Sequence, residues 1–333
     1  MTDVRLALGP TDRALVPATS APRVSVLVPA KDEAENLPEF MRQAAETFAA
    51  TPGKYEVVVV DDGSVDETPA VLARLEREYP FLRSVRHRSR RGIADALRTG
   101  YVHARGDVLV FYPADLQFKP EDIPKLVDPV LSGEYDIMTG HKEGEYEKAF
   151  VSGIYNKLSR SLFDVPVRDL NSVKAYRREV MASVPARPDW HRYMVVVAAA
   201  NGYTVGEVPI ALYPRNAGKS KFGLSRIPIG VLDMFAVWFE LRFARKPLLL
   251  FGMLGAFLFA FGVVTGIIAV LYRIIAGVGF RPLLTLIETC LLLGSVFFAT
   301  GLLAELTAAS RAETAELRRM VEDLMARDAE ARR

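Results

Sequence analysis

Residues 56–64 read EVVVVDDGS, and this stretch decides the fold class. Four consecutive valines follow Glu56, which indicates a strand buried on both faces, as the strands of parallel sheets are. Asp61-Asp62-Gly63-Ser64 then closes the strand with residues that favour turns. Upstream, the β-branched run Val24–Val28 predicts a second strand, which Pro29 ends. The sequence therefore predicts two buried strands of one sheet.

Helical and strand patterns alternate on both sides of this stretch. Apolar residues recur at helical spacing after the first strand, at Leu37, Phe40, Met41, Ala44 and Phe48. Thr68-Pro69 opens a second helix, residues 83–87 predict a third strand, residues 93–104 a third helix and residues 107–112 a fourth strand. This alternation predicts an α/β domain with a mainly parallel, Rossmann-like sheet and helices on both faces.

Acidic residues follow the predicted strands. They occur in residues 29–33, 61–64 and 113–117. Ligands of open α/β sheets bind beyond the carboxyl ends of the strands, so these segments should meet at one edge. Carboxylates there can bind the ribose and base of a nucleotide and can hold a divalent ion against its phosphates.

Composition bounds the remaining classes. The 333 residues are half hydrophobic and a quarter charged, and the net charge of +2 includes no dominant basic block that would indicate nucleic-acid binding. One cysteine, Cys290, excludes an intramolecular disulfide and a cysteine-rich metal site, which suits a reducing cytoplasm. Residues 1–22 lack the apolar run of a signal peptide and are interpreted as a leader before the first strand.

Two long apolar stretches lie near the C-terminus. Residues 248–272 contain no charged side chain, and residues 282–304 contain only Glu288. At about 1.5 Å per residue, the first stretch exceeds the roughly 30 Å hydrocarbon core of a bilayer. The short connector predicts a transmembrane hairpin over residues 247–305 that anchors the domain.

Basic residues precede the first apolar stretch: Arg215, Lys219, Lys221, Arg226, Arg242, Arg245 and Lys246. The positive-inside rule places the large domain and both termini in the cytoplasm, although Arg273 and Arg281 dilute the signal. Residues 224–246 are read either as helices in the membrane interface or as an amphipathic helix packed on the domain. Residues 306–333 predict a charged helix, with self-association into a homo-oligomer left open.

Five motifs follow one another in the large domain. They are Val28–Glu33, Val59–Asp66, Arg91–Ala96, Gly106-Asp107 and Ala114–Gln117. The set resembles the inverting nucleotide-sugar transferases of glycosyltransferase family 2, which have a GT-A fold and include dolichyl-phosphate mannose synthase and polyprenyl-phosphate glycosyltransferases. The resemblance covers residues 24–221 and implies a GT-A domain over residues 23–223.

The resemblance implies a site for a nucleotide sugar. Its residues would be Pro29, Ala30, Glu33, Asp61, Gly63, Arg91, Gly92, Asp95, Ala114, Asp115 and Ser220. Asp115 and Gln117 fall on the family's motif for Mg²⁺ or Mn²⁺. That motif usually reads Asp-Ala-Asp, but here Pro113 takes the first position and offers no ligand. Either the remaining oxygens suffice, or metal dependence is weaker, or activity is lost.

The resemblance also implies residues for the acceptor and for catalysis. Lys142, Lys148 and Ser152 fall where the family binds an acceptor phosphate, and a solvated loop is the alternative. Asp169 falls on the proposed catalytic aspartate. Arg215, Ser220 and Lys221 lie on a glycine-containing loop that would close over the diphosphate or, alternatively, touch anionic lipids.

The expected function is transfer of one hexose from a UDP- or GDP-sugar to a polyprenyl phosphate. Transfer to a lipid hydroxyl is an alternative within enzymes. A non-catalytic membrane scaffold that keeps a nucleotide pocket is the alternative from another class, and it rests on Pro113 alone. The Gln-x-x-Arg-Trp signature of processive polysaccharide synthases is absent.

Overall fold

The computed structural model describes residues 22–51, 54–143, 163, 167–170, 172–184, 190–214, 227–243, 246–277 and 281–331. The chain forms two compact units, Met1–Gly223 and Leu224–Arg333. The first contains the predicted α/β domain, and the second contains the two apolar stretches.

The first unit alternates strands and helices as predicted. Its strands are β1 (Val24–Ala30), β2 (Tyr55–Asp61), β3 (Leu82–Arg86), β4 (Val108–Phe111), β5 (Ile137–Glu143), β6 (Lys174–Arg177) and β7 (Val205–Ala211). Its helices are α1 (Leu37–Phe48), α2 (Thr68–Glu78), α3 (Ile93–His103), α4 (Ile123–Leu131), α5 (Arg178–Ser183) and α6 (Trp190–Ala200), with a 3₁₀ turn over Pro120–Asp122.

The strands form one sheet in the order β3-β2-β1-β4-β6-β5-β7. All pairs are parallel except those of β6, which runs antiparallel to β4 and β5. The mainly parallel sheet is thus confirmed, and the reversed β6 is a detail that the alternation did not predict. Because β6 is reversed, its amino end lies at the edge where β1, β2, β4 and β5 end.

The four valines of β2 divide between two cores. Val57 and Val59 pack on the side of α1 and α4, whereas Val58 and Val60 pack on the side of α3 and α6. All four are at most 1% exposed, as expected for a strand covered by helices on both faces.

Glu56, the polar residue at the start of this strand, is buried and fully engaged. Its carboxylate accepts hydrogen bonds from Ser25 Oγ (2.6 Å), the Arg105 backbone N–H (2.6 Å) and Arg105 Nε (2.9 Å). Burial raises the pKa of Glu56, but these hydrogen bonds outweigh burial, so the pKa is lowered overall. The carboxylate therefore stabilises the amino edge of the sheet.

The second unit consists of α7 (Ile227–Phe243), α8 (Pro247–Ala276) and α9 (Arg281–Ala331). Both α8 and the Arg281–Thr314 part of α9 are long and apolar enough to cross a membrane, and little of either is buried. Exposed apolar helices of this length indicate a membrane anchor rather than the core of a soluble domain. The charged tail continues α9 without a break, and its apolar residues Leu317, Val321 and Leu324 are exposed.

Glycines bring α8 and α9 into backbone contact. A Cβ atom on Gly255 would stand 2.5 Å from the Phe298 backbone nitrogen, and one on Gly294 would stand 2.6 Å from that of Phe259. Apolar burial cannot drive helices together within a lipid phase, so close van der Waals packing has to stabilise the pair.

We expect Gly255→Ala and Gly294→Ala each to destabilise the hairpin by about 1–3 kcal/mol, because the added methyl group must push the helices apart. Gly266→Ala is the matched control, since its added carbon would stand at an ordinary 3.5 Å from Ile287 Cγ2. Thermal unfolding of the full chain in detergent measures all three. Equal stability of the three variants would contradict the packing argument.

Candidate active site

Side-chain hydrogen bonds join the loops that follow β1 and β2. The Asp32 backbone N–H donates to Ser64 Oγ (2.9 Å), and Asp32 Oδ1 accepts from the Val65 N–H (2.9 Å). The Glu33 N–H donates to Thr68 Oγ1 (2.9 Å). Asp32 lies in the left-handed region at φ 55°, a conformation that this reciprocal pair stabilises. The two predicted nucleotide-binding loops therefore form one rigid surface.

Asp61 ends β2 in register with Ala30 of β1. Its side chain is 1% exposed, and its Oδ1 accepts a hydrogen bond from the Ser64 N–H (2.8 Å). Its Oδ2 lies 3.2 Å from Arg86 Nε, but the two groups are not aligned as a hydrogen bond. This buried oxygen accepts no hydrogen bond among the described residues, so its capacity as an acceptor is unused.

Asp62 is a structural residue of this site that the sequence analysis did not single out. Its Oδ1 accepts from the Arg91 N–H (2.7 Å) and lies 2.9 Å from His87 Nδ1, while its Oδ2 accepts from the Gly92 N–H (2.8 Å). Burial raises the pKa of Asp62, but these hydrogen bonds outweigh burial and lower it overall. Asp62 thus fixes the segment before α3 against the end of β2.

Gly63 permits the close contact between these two segments. It has φ +70°, and a Cβ atom there would stand 2.8 Å from the backbone carbon of Ser89. Only glycine fits both the conformation and the space.

The other predicted nucleotide residues differ in exposure. Ala30 and Ala114 are buried, so they shape the site through backbone and volume, whereas Pro29 and Glu33 are half-buried. Arg91 and Asp95 are exposed at the start of α3. The structure places these residues around the carboxyl edge of the sheet, and their roles as ligand contacts remain predictions.

The predicted metal motif follows β4. Asp115 and Gln117 are half-buried, so their side chains remain partly accessible to solvent. Their neighbours are buried: Ala114, Leu116 and Phe118. The Gln117 N–H donates to Asp115 Oδ1 (3.2 Å). The described residues contain no cluster of three acidic, histidine or cysteine ligands.

The Asp115 carboxylate and the Gln117 amide are nonetheless oxygen donors of the kind that Mg²⁺ and Mn²⁺ accept. They fit an ion that completes its shell with phosphate oxygens and water, as Mg²⁺ commonly does in nucleotide enzymes.

Tyr213 ties the end of the first unit's described chain to this motif. Its backbone N–H donates to the Gln117 carbonyl (2.9 Å), and Lys119 Nζ lies 4.1 Å from the centre of its ring. The described chain of the first unit therefore ends beside the metal motif.

Lys142 and Asp169 form an ion pair of 3.0 Å between Nζ and Oδ2. Lys142 comes from the carboxyl end of β5, and Asp169 precedes β6, which starts at the same edge. Glu207 of β7 accepts hydrogen bonds from the Arg168 N–H (2.6 Å) and the Asp169 N–H (3.2 Å) through one oxygen. The structure thus brings together a predicted acceptor residue and the predicted catalytic aspartate, and it adds Glu207 as their support.

The remaining predicted residues lie outside the described residues: Lys148, Ser152, Arg215, Ser220 and Lys221. Sequence reasoning missed the roles of Asp62, His87, Glu207 and Tyr213. Asp62 stood in the motif Val59–Asp66, but nothing in the sequence distinguished a buried hydrogen-bond acceptor from a ligand contact.

The fold resembles that of glucosyl-3-phosphoglycerate synthase from Mycobacterium tuberculosis, solved with Mn²⁺, UDP and phosphoglyceric acid. The TM-score is 0.53 and the sequence identity 19%, over 66% of this chain and 78% of that one. At this identity the likeness shows the fold alone. The class that the sheet defines is therefore the GT-A glycosyltransferase fold.

Sequence comparisons identify the family within that class. The profile of Glycosyl transferase family 2 matches residues 25–164. Dodecaprenyl-phosphate galacturonate synthase of Rhizobium johnstonii is 31% identical over 297 residues, which cover 86% of this chain and 87% of that protein. An undecaprenyl-phosphate 4-deoxy-4-formamido-L-arabinose transferase of Shewanella sediminis is 28% identical over 85% of this chain and 86% of that protein. The chain belongs to glycosyltransferase family 2 and is a glycosyltransferase.

We expect Asp62→Asn to destabilise the protein by about 1–3 kcal/mol at neutral pH, because an amide must turn one donor toward an N–H and leave it unpaired. Since the pKa of Asp62 is lowered by folding, its contribution is present above about pH 4 and is lost as the pH falls below that value.

Chemical denaturation at pH 7 and at pH 3.5 measures this dependence. Glu35→Gln, at an exposed acid of the neighbouring loop, is the control and should change little. A deficit in Asp62→Asn that stays constant across this pH range would contradict the role given to the carboxylate.

Proposed function

We propose that this chain transfers a single hexose from a UDP- or GDP-sugar to a polyprenyl phosphate, of the dolichyl or undecaprenyl type, at the cytoplasmic face of the membrane. The observation that carries the proposal is the Lys142–Asp169 ion pair of 3.0 Å at the edge of the sheet that also carries the predicted nucleotide loops. A lysine supplies the cation that a phosphate acceptor needs, whereas a hydroxyl acceptor needs none.

The similar proteins support this acceptor. The R. johnstonii and S. sediminis relatives are named for dodecaprenyl and undecaprenyl phosphate, and each aligns with most of this chain. The two exposed apolar helices would hold the enzyme at the surface where the phosphate of such a lipid lies. The basic residues before α8 support a cytoplasmic domain with both termini on that side.

The proposed reaction is a direct displacement. An oxygen of the acceptor phosphate attacks the anomeric carbon as the bond from that carbon to the nucleoside diphosphate breaks, so the configuration inverts. A phosphate monoester is already an anion near neutral pH, so Asp169 would orient the acceptor through Lys142 rather than remove a proton. Arg215 and Lys221 would bind the leaving diphosphate, with Ser220 beside them.

Donor binding would use the joined loops of β1 and β2. Asp61 would accept a hydrogen bond from the nucleotide, while Pro29, Glu33 and Gly63 would shape its pocket. Asp115 and Gln117 would hold Mg²⁺ or Mn²⁺, which would neutralise charge on the diphosphate. The structurally similar M. tuberculosis synthase has been solved with UDP and each of these ions, which is consistent with this assignment.

The acceptor is tested with membranes that contain the full chain, labelled UDP- and GDP-sugars and undecaprenyl phosphate. We expect a glycosyl phosphate lipid, whose anomeric bond is cleaved by mild acid. Asp169→Asn should retain more than about one hundredth of the rate, because general-base catalysis contributes roughly 10²–10⁴-fold and is not needed here.

Asp128→Asn, at an exposed acid of α4, is the control and should leave the rate unchanged. An acid-stable product together with an inactive Asp169→Asn would show a hydroxyl acceptor instead. Donor binding without any lipid product would show a scaffold.

The metal assignment has a separate test. Asp115→Asn should raise the Mn²⁺ concentration needed for UDP binding by on the order of 10- to 100-fold or more, because a charged ligand is lost. Pro113→Asp should lower that concentration by adding a carboxylate at the position where the family's motif has one. Calorimetric titration of UDP at several Mn²⁺ concentrations measures both, and an unchanged metal requirement in Asp115→Asn would contradict the assignment.

A further inference from the structure

Lys174, the first residue of β6, is a buried lysine to which the proposed function gives no role. It is 1% exposed and lies between Phe111 of β4 and Thr139 of β5 in the register of the sheet. A buried ammonium group is costly, and a methionine or leucine would fill the same space without a charge. Its presence therefore calls for a role that an apolar side chain lacks.

The ammonium group of Lys174 is held by two backbone carbonyls. Nζ donates to the carbonyl of Leu170 (3.0 Å) and to that of His191 (3.0 Å). Leu170 directly follows Asp169, and His191 lies in the first turn of α6. Lys174 thus joins the turn that carries the proposed catalytic aspartate to a rigid helix.

Asp169 is consequently fixed from both sides along the chain. Glu207 holds the peptide N–H groups of Arg168 and Asp169, and Lys174 holds the carbonyl one residue later. Lys174 and Lys142 also act electrostatically on this region, with Asp169 as the carboxylate near both. Three cations, Lys142, Lys174 and Arg168, lie around two carboxylates, Asp169 and Glu207, so one positive charge is in excess, which suits an anionic acceptor.

We propose that Lys174 is a positioning residue for the transfer, whose buried ammonium group holds the Asp169 turn against α6 and adds a fixed positive charge behind the Lys142–Asp169 pair. The inference rests on the role given to Asp169 in the proposed function. It assigns to Lys174 no contact with the sugar or with the reacting atoms.

The charges that face Lys174 determine its pH dependence. Burial lowers the pKa of Lys174 to about 8, Asp169 opposes that shift and Lys142 adds to it. The other neighbour that titrates, His191, has its pKa lowered to about 3, chiefly by burial, so it stays neutral in the working range. Phe111 and Thr139 carry no charge. The protonated lysine is the active form, so the rate should fall as the pH rises through about 8.

A double-mutant cycle tests the proposal with the full-length protein in lipid nanodiscs and whichever acceptor the wild type uses. Lys174→Met should lower kcat/KM for the acceptor on the order of 10- to 100-fold, the effect of losing hydrogen bonds from a charged group. It should leave UDP affinity within about twofold, because the hydrogen-bond partners of Lys174, Leu170 and His191, lie outside the predicted nucleotide-binding loops. If Lys174 acts through Asp169, Asp169→Asn with Lys174→Met should be no slower than the slower single variant.

Independent, multiplying effects would overturn the positioning role while leaving the proposed function intact. Full activity of Asp169→Asn would overturn both the positioning role and the catalytic assignment of Asp169. Lys125→Met, at an exposed lysine of α4 paired with Asp122, is the matched control and should retain wild-type kinetics.

Lys174→Arg provides a second readout, which does not depend on whether the Lys174→Met variant folds. Arginine stays charged at every working pH, so the loss of activity above about pH 8 should disappear in this variant. A lysine that only fills the core would leave the pH profile unchanged, and an unchanged alkaline loss in Lys174→Arg would overturn the proposal.

Discussion

The parallel register of β1 with β2 and β4 is the constraint on which the rest of the catalytic unit depends. Ala30 pairs with Asp61, and Leu27 pairs with Phe111, so three strands end at one edge. The loops leave these ends side by side, and the hydrogen bonds between Asp32, Ser64 and Val65 fix two of them to each other. The binding surface at this edge is therefore preorganised before a ligand binds.

Polar groups with little exposure to solvent hold the segments around this surface in place. Asp62 anchors the segment before α3, Glu207 anchors the peptide N–H groups before β6, and Lys174 anchors the carbonyl that follows Asp169. Asp62 and Lys174 are buried, which is costly for a charged group and becomes favourable only through several well-directed hydrogen bonds. Because these groups are oriented in the folded protein, little reorganisation is needed when charge develops during a transfer.

The two units are stabilised by different physics. In the catalytic unit, the alternating valines of β2 are removed from water into two cores, which is the usual driving force of folding in solution. In the hairpin, the large apolar side chains remain exposed, and the helices approach through Gly255 and Gly294. Lipid would solvate the exposed side chains as well as another helix could. The contact between α8 and α9 therefore depends on how closely the two helix surfaces fit each other.

The sequence by itself determined the class of the fold and the anchor, because EVVVVDDGS, the strand and helix periods and two long apolar runs are local signals. The family resemblance implied that Lys142 and Asp169 would serve one site, although a separation of 27 residues in sequence gives no distance in space. Only the tertiary structure decided that β6 runs antiparallel, which brings Asp169 to the edge where Lys142 lies. It alone distinguished Asp62 from Asp61, since adjacent carboxylates look alike in sequence but accept hydrogen bonds from different segments. The sequence also could not predict that Lys174 is buried. Its ammonium group is paired with two backbone carbonyls, and every residue has a carbonyl, so no sequence pattern marks these partners.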